Sequence, residues 1–117
     1  MEDQVIIDQK TYSELKDLMG ADYVIEIVDT YIQETAALIQ QLQQSLEAGD
    51  ASSFGRLAHS IKSSSASLGA LTFSQQAREL EMLGKANDIA RVGSKLNKLA
   101  ADFSLVTGRL EELKNES

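Results

Sequence analysis

The 117-residue chain contains no cysteine, no proline and no tryptophan, and aromatic residues make up only 5% of it. Without cysteine there can be no disulfide framework, thiolate metal site or cysteine nucleophile. Without proline nothing interrupts long helices. The abundant residues, Leu, Ala, Gln, Glu and Lys, lose little freedom in a helix, so the composition points to an all-α fold. No apolar run approaches the length of a membrane span, and the acidic start MEDQVIID lacks the basic and apolar regions of a secretory signal. A cytoplasmic protein is expected. Positive charge is also scarce: 11 Lys and Arg against 18 Asp and Glu leave a formal charge of -7. That balance argues against general binding to nucleic acid or anionic membrane, both of which need basic patches.

The glycines punctuate the apolar pattern. Gly20, Gly49, Gly69 and Gly84 fall where the periodicity breaks, as helix C-caps do. They divide the chain into five helical segments. The first covers about residues 9 to 19 after Asp8, with Thr11 and Glu14 as an alternative capping box. The second runs from about Asp22 to Ala48. In it Ile25, Ile32, Ile39 and Leu46 recur every seven residues, and Val24, Val28, Tyr31, Thr35, Leu38 and Leu42 follow the four-three spacing. Asp50 caps a third helix ending at Leu68. Thr72 with Gln75 suggests a capping box for a fourth, which would bury Phe73, Ala77, Leu80 and Leu83. Asn87 or Asp88 opens the fifth, carrying Val92, Leu96, Leu99, Phe103, Val106, Leu110 and Leu113. Short connections force antiparallel neighbours. The expected fold is an up-down-up-down four-helix bundle with a short N-terminal helix across one end. Residues 1–117 should form one domain, with a core from about 7 to 113 and polar tails.

The single histidine, His59, lies in AHSIKSSSASLGA, residues 58–70. On a wheel of roughly 100° per residue, Phe54, Leu57, Ile61 and Leu68 define the buried stripe of the third helix, and His59 falls roughly 160° away. Its neighbours on that outer face are small: Gly55, Ser63, Ala66 and Ser52. A glycine in mid-helix is disfavoured by about 1 kcal/mol, so its presence suggests that the face is kept clear around the imidazole. Arg56 and Lys62 flank it with positive charge. An accessible imidazole between two cations is a layout for carrying an anion. Ser64 and Ser65 lie nearer the packing side, where their hydroxyls can bond back to the preceding turn.

His59-Ser-Ile-Lys62-Ser-Ser-Ser-Ala-Ser-Leu68-Gly69-Ala70 resembles the signature H-x-x-K-G-S/A-x-x-x-L/V-G of histidine-containing phosphotransfer (HPt) domains. Leu46–Asp50 looks like the family's turn before the histidine helix, and Leu80-Glu81 like its pattern in the next helix. The helix spacing fits from about Ile7 to Leu113. The resemblance implies a phosphorelay intermediate that takes a phosphoryl group from a receiver-domain aspartate onto His59 and passes it to another receiver. Neutral imidazole is a competent nucleophile at cytosolic pH. Lys62 would neutralise phosphoryl oxygens, Arg56 would add longer-range attraction, and Glu81 would orient the imidazole. Ser63 replaces the family's glycine, and its hydroxyl is a candidate contact.

No cofactor should be bound by this chain, since Mg²⁺ belongs to the receiver's acidic pocket. The chain has no G-x-x-x-x-G-K-[ST] loop and no kinase signature, so it should not use ATP itself. The implied partners are receiver domains of hybrid sensor kinases and response regulators. They would dock on the histidine helix, with Gly55 and Ala66 on its flat face, and on exposed apolar residues of the first two helices, Met19 and Val24. A monomeric free shuttle is expected. The competing class is a helical adaptor binding partner helices, in which His59 would be dispensable. A bundle metalloprotein is disfavoured, because it needs E-x-x-H on two helices and the chain has one histidine.

Overall fold

The structure, a computed structural model, describes residues 5–116; the ends of the expected polar tails, residues 1–4 and Ser117, lie outside the described residues. Five α-helices and one short 3₁₀ turn make up the described fold: α1 Gln9–Met19, α2 Ala21–Ala48, α3 Ala51–Ser67, α4 Leu71–Lys85 and α5 Lys95–Asn115, with the 3₁₀ turn at Ile89–Arg91. Helices α2 to α5 close a ring in which each packs on its sequence neighbour and α5 returns to α2. The expected antiparallel bundle is therefore observed, with α1 packed against α2. At 1.5 Å per residue, the 28 residues of α2 account for the 42 Å long axis of the molecule.

The helix ends explain this topology. Asp8 caps α1 by accepting hydrogen bonds from the Thr11 amide at 3.1 Å and its hydroxyl at 2.6 Å, so the Thr11–Glu14 alternative is not used. Asp50 does the same for α3 through Ser53. Gly49 and Gly69, at φ +71° and +92°, are left-handed residues that reverse the chain after α2 and α3. The Ala70 amide donates to the Ser65 carbonyl at 2.9 Å, closing the α3–α4 turn. The Asp8 amide donates to Gly69 O at 2.7 Å and ties the start of α1 to that turn.

Three boundaries differ from the expectation. Helix α4 begins at Leu71, with Ala70 in the cap position, and makes no side-chain cap bond, so Thr72 and Gln75 form no capping box. The tight α3–α4 turn and the burial of Ala70, Phe73 and Ala77 fix its register instead. At the other end Gly84 does not stop α4, which continues to Lys85. Asn87, expected to open α5, takes the left-handed conformation at φ +55° and ends α4, its amide donating to Gly84 O. Asparagine tolerates that region because its short polar side chain bonds locally. Helix α5 starts only at Lys95, after the 3₁₀ turn and a further left-handed residue, Gly93. Val92 is nonetheless buried, closing the end of the core from the connection.

Phe54, Leu42, Ile61, Leu68, Leu80 and Leu99 are fully buried and form the centre of the core. Phe103 is half-buried at its edge, its ring 6.3 Å from Tyr31 and 5.7 Å from Phe73. Leu57 and Leu83, expected in the core, are half-buried, whereas Ala58 is fully buried. The buried face of α3 is thus Phe54, Gly55, Ala58, Ile61, Ser65 and Leu68. It is rotated toward α4, and His59 stands roughly 120° from its centre rather than on the opposite side.

Candidate phosphoryl-carrying site

That rotation places the site. Helix α3 packs more extensively on α4 than on any other element, and Gly55 lies in that contact against Gly84, where a bulky side chain would hold the helices apart. His59 and Lys62 are three residues apart, so they neighbour one another on the α4-facing edge of α3. Glu81 comes from α4. Its side chain is only 3% exposed, a rare state for a carboxylate without partners.

Glu81 has three. Its Oε2 lies 2.7 Å from His59 Nδ1 and 3.1 Å from Lys85 Nζ, and its Oε1 lies 2.8 Å from Lys62 Nζ. Burial pushes the carboxyl pKa up, but hydrogen bonds from Lys62, His59 and Lys85, with the charge of Lys62, outweigh it and hold the group at about 2. Glu81 is therefore ionised at neutral pH and can only accept. It follows that Nδ1 of a neutral His59 must be the protonated, donating nitrogen. The lone pair is then on Nε2, which has no partner among the described residues, on a side chain 56% exposed. One ring nitrogen is anchored and the other is free to react.

The remaining expected residues are placed unevenly. Ser63 is exposed, and its hydroxyl makes no bond to His59. Arg56 is exposed but turned toward the start of α3, its guanidinium donating to Ser52 and Ser53 hydroxyls at 2.9 and 3.2 Å. Ser64 bonds back to Ser60 O at 3.0 Å, while Ser65 is fully buried and shares a 2.7 Å hydrogen bond with the Tyr31 hydroxyl.

Among the expected docking residues, Met19 is exposed and lines a groove between α1, α2 and α3 with Leu15, Tyr23 and Ile27. Ala66 is half-buried. Two need correction. Val24 is fully buried in the core, because the inward stripe of α2 starts with it, and so cannot meet a partner. Gly55 does not clear the outer face around the imidazole; it is buried against Gly84 of α4. Lys85 was missed at the sequence level. Its signal is the Glu81/Lys85 spacing of four on one helix face, which becomes informative only once Glu81 is known to be buried.

A helical bundle that holds one imidazole by a buried carboxylate and leaves its second nitrogen to solvent defines a carrier of a transferable group. Residues 26–116 match the Hpt domain family, and the chain belongs to it. The fold is similar, with a TM-score of 0.91 and 22% identity, to the histidine-containing phosphotransfer protein B (HptB) from Pseudomonas aeruginosa PAO1, over 98% of this chain and 99% of that one. No curated protein matches it. It is accordingly a histidine phosphotransfer protein, a phosphocarrier of the kind that works with receiver domains in phosphorelays. No helix among the described residues is long and apolar enough to cross a membrane.

Proposed function

We propose that His59 accepts the phosphoryl group on Nε2 from a receiver aspartyl phosphate and returns it to another receiver. The observation that carries this reading is the 2.7 Å bond between His59 Nδ1 and the buried Glu81, which fixes the tautomer that leaves Nε2 nucleophilic. In the transfer the Nε2 lone pair attacks phosphorus in line. The P–N bond forms as the P–O bond to the aspartate breaks, and the aspartate leaves as a carboxylate. The proton stays on Nδ1, so the ring gains positive charge, and Glu81 lies at that nitrogen to stabilise it. Lys62, partly exposed beside the ring, can exchange Glu81 for a phosphoryl oxygen, because Lys85 also neutralises Glu81.

Phosphoryl transfer depends mainly on positioning and charge neutralisation. Mg²⁺ is supplied by the receiver, and the chain does not use ATP itself. It acts as a cytoplasmic monomer shuttling between receiver domains of hybrid kinases and response regulators, which dock across α3 and the groove edged by Met19. The test is incubation with a phosphorylated receiver. Label should move to this protein as an acid-labile, alkali-stable adduct, with phosphorus coupling to Nε2 in a ¹⁵N-labelled ring. His59→Gln should abolish it, and transfer surviving in that variant refutes the assignment.

A further inference from the structure

The geometry points to Gly84 as a positioning residue of phosphotransfer: its missing side chain sets the α3–α4 separation at which Glu81 reaches His59. Gly84 is the next-to-last residue of α4, still helical and not among the left-handed glycines, so neither a turn nor a left-handed cap requires glycine there. Close approach does. A Cβ at Gly84 would stand 2.6 Å from Gly55 Cα, 2.7 Å from Gly55 N and 3.1 Å from Ala51 O. All three are backbone atoms and cannot swing aside. Normal carbon contacts lie near 3.5–4.0 Å, so α3 and α4 would have to part by about 1 Å.

The reverse substitution is not equivalent. A Cβ at Gly55 would meet Gly84 C and Cα at 3.5 and 3.6 Å, which is ordinary contact. The requirement for glycine therefore sits at position 84.

The His59–Glu81 hydrogen bond lies one turn from this contact on each helix: His59 is four residues after Gly55, and Glu81 three before Gly84. Further along, the Ser74 hydroxyl donates to Lys62 O at 2.9 Å and pins the two helices on the other side of the site. Parting them at Gly84 thus opens a wedge whose hinge is near Ser74, with the His59–Glu81 pair inside it. Most of an added ångström would take the 2.7 Å contact beyond hydrogen-bonding range. Nδ1 would then lose its fixed acceptor, and water would reach the carboxylate.

This inference rests on the reading of His59 given above, and its first readout is independent of transfer. The ring ¹⁵N shifts of His59 report its tautomer in Gly84→Ala, Gly55→Ala and the wild type. Leu110→Ala, a core truncation in α5 remote from the site, controls for lost stability, with every protein held at a temperature where circular dichroism shows it folded. The expected result is a predominant Nδ1–H form in the wild type, Gly55→Ala and Leu110→Ala, and its loss in Gly84→Ala. Transfer from a phosphorylated receiver should slow about tenfold or more in Gly84→Ala alone, the scale seen when a group orienting a functional histidine is lost.

An unchanged tautomer in Gly84→Ala overturns the proposal. So does a lost tautomer with wild-type transfer, or an equal slowing in Leu110→Ala. Should Gly84→Ala not fold, Gly55→Val provides the wedge from the other helix, because its methyls extend beyond a Cβ already in contact. It must then weaken the Nδ1–H signal where Gly55→Ala does not, and an unweakened signal refutes the role. Failure of His59 itself to accept phosphate would appear separately, as absence of label in the wild type.

Discussion

Replacing Glu81 separates the two effects its carboxylate exerts on His59. Glu81→Gln keeps an oxygen for the Nδ1 proton and removes the charge; Glu81→Ala removes both. As phosphorus bonds to Nε2, the ring becomes cationic beside a carboxylate whose Oε2 is 2.7 Å from Nδ1. Taking the charge centres about 4 Å apart and an effective dielectric near 20, the full interaction is about 4 kcal/mol. Two factors reduce it: the ring is half-exposed, and Lys62 and Lys85 already share the carboxylate. A net loss of about 1–2 kcal/mol, or about 5–30-fold in transfer rate, is expected for Glu81→Gln. Glu81→Ala should be slower again by about tenfold, because the tautomer is then no longer held. Rapid-quench measurement of label moving from a phosphorylated receiver gives both rates. Should the two variants transfer equally fast, the orienting bond contributes nothing. Should Glu81→Gln match the wild type, the charge contributes nothing, and the electrostatic account fails.

Three further outcomes follow from the structure. Because the Glu81 carboxyl is held at about 2 against an ordinary 4.5, its ionised form favours the fold above about 4.5, and that contribution is lost as pH falls toward 2; urea midpoints of wild type and Glu81→Gln should converge over that window, and a constant gap would contradict it. Gly69→Ala must place a Cβ at φ +92°, 2.8 Å from Asp8 O, and should lose about 2–3 kcal/mol in urea unfolding from backbone strain and a weakened Asp8–Gly69 bond. Tyr31→Phe removes the partner of the buried Ser65 hydroxyl and should lose about 1 kcal/mol, with Tyr31→Phe/Ser65→Ala losing less than the sum of the single changes; strict additivity would mean that the hydrogen bond is not a coupled pair.

The long apolar stripes were legible because hydropathy and the 3.6-residue period speak directly: α1, α2 and α3 end close to where glycines and Asp caps place them. Small residues were not legible. Ala58 and Gly55 carry little hydropathic signal, so Leu57 pulled the apparent buried face of α3 away from α4, and His59 was turned too far outward. Gly84 is ambiguous for a related reason. A glycine between two apolar stretches can end a helix or admit a neighbouring one, and only the presence of Gly55 across the contact distinguishes the two. Asn87 shows the converse, a polar residue that suits a helix start yet closes the preceding helix. Only family resemblance singles out the carboxylate at Glu81, because its burial depends on how closely α4 meets α3.

The charge at the site also bears on why a carrier should bury a carboxylate at all. Burial of Glu81 is unfavourable in isolation, and replacing such groups with apolar ones often stabilises a fold. With the imidazole in its neutral, nucleophilic form, Glu81 held against Lys62 and Lys85 leaves the site with one surplus positive charge. A phosphorylated ring carries a dianionic phosphoryl group and a cationic imidazole, one net negative charge. Phosphorylation therefore brings the cluster to neutrality rather than building charge at a half-buried position. Without Glu81 the cationic ring would lose its counter-charge, and loading would be disfavoured. Without Lys85, Lys62 could leave Glu81 for the phosphoryl group only by exposing an uncompensated buried anion. A carrier must load and unload with comparable ease, and a buried acid shared between two lysines is a direct way to keep both states close in energy.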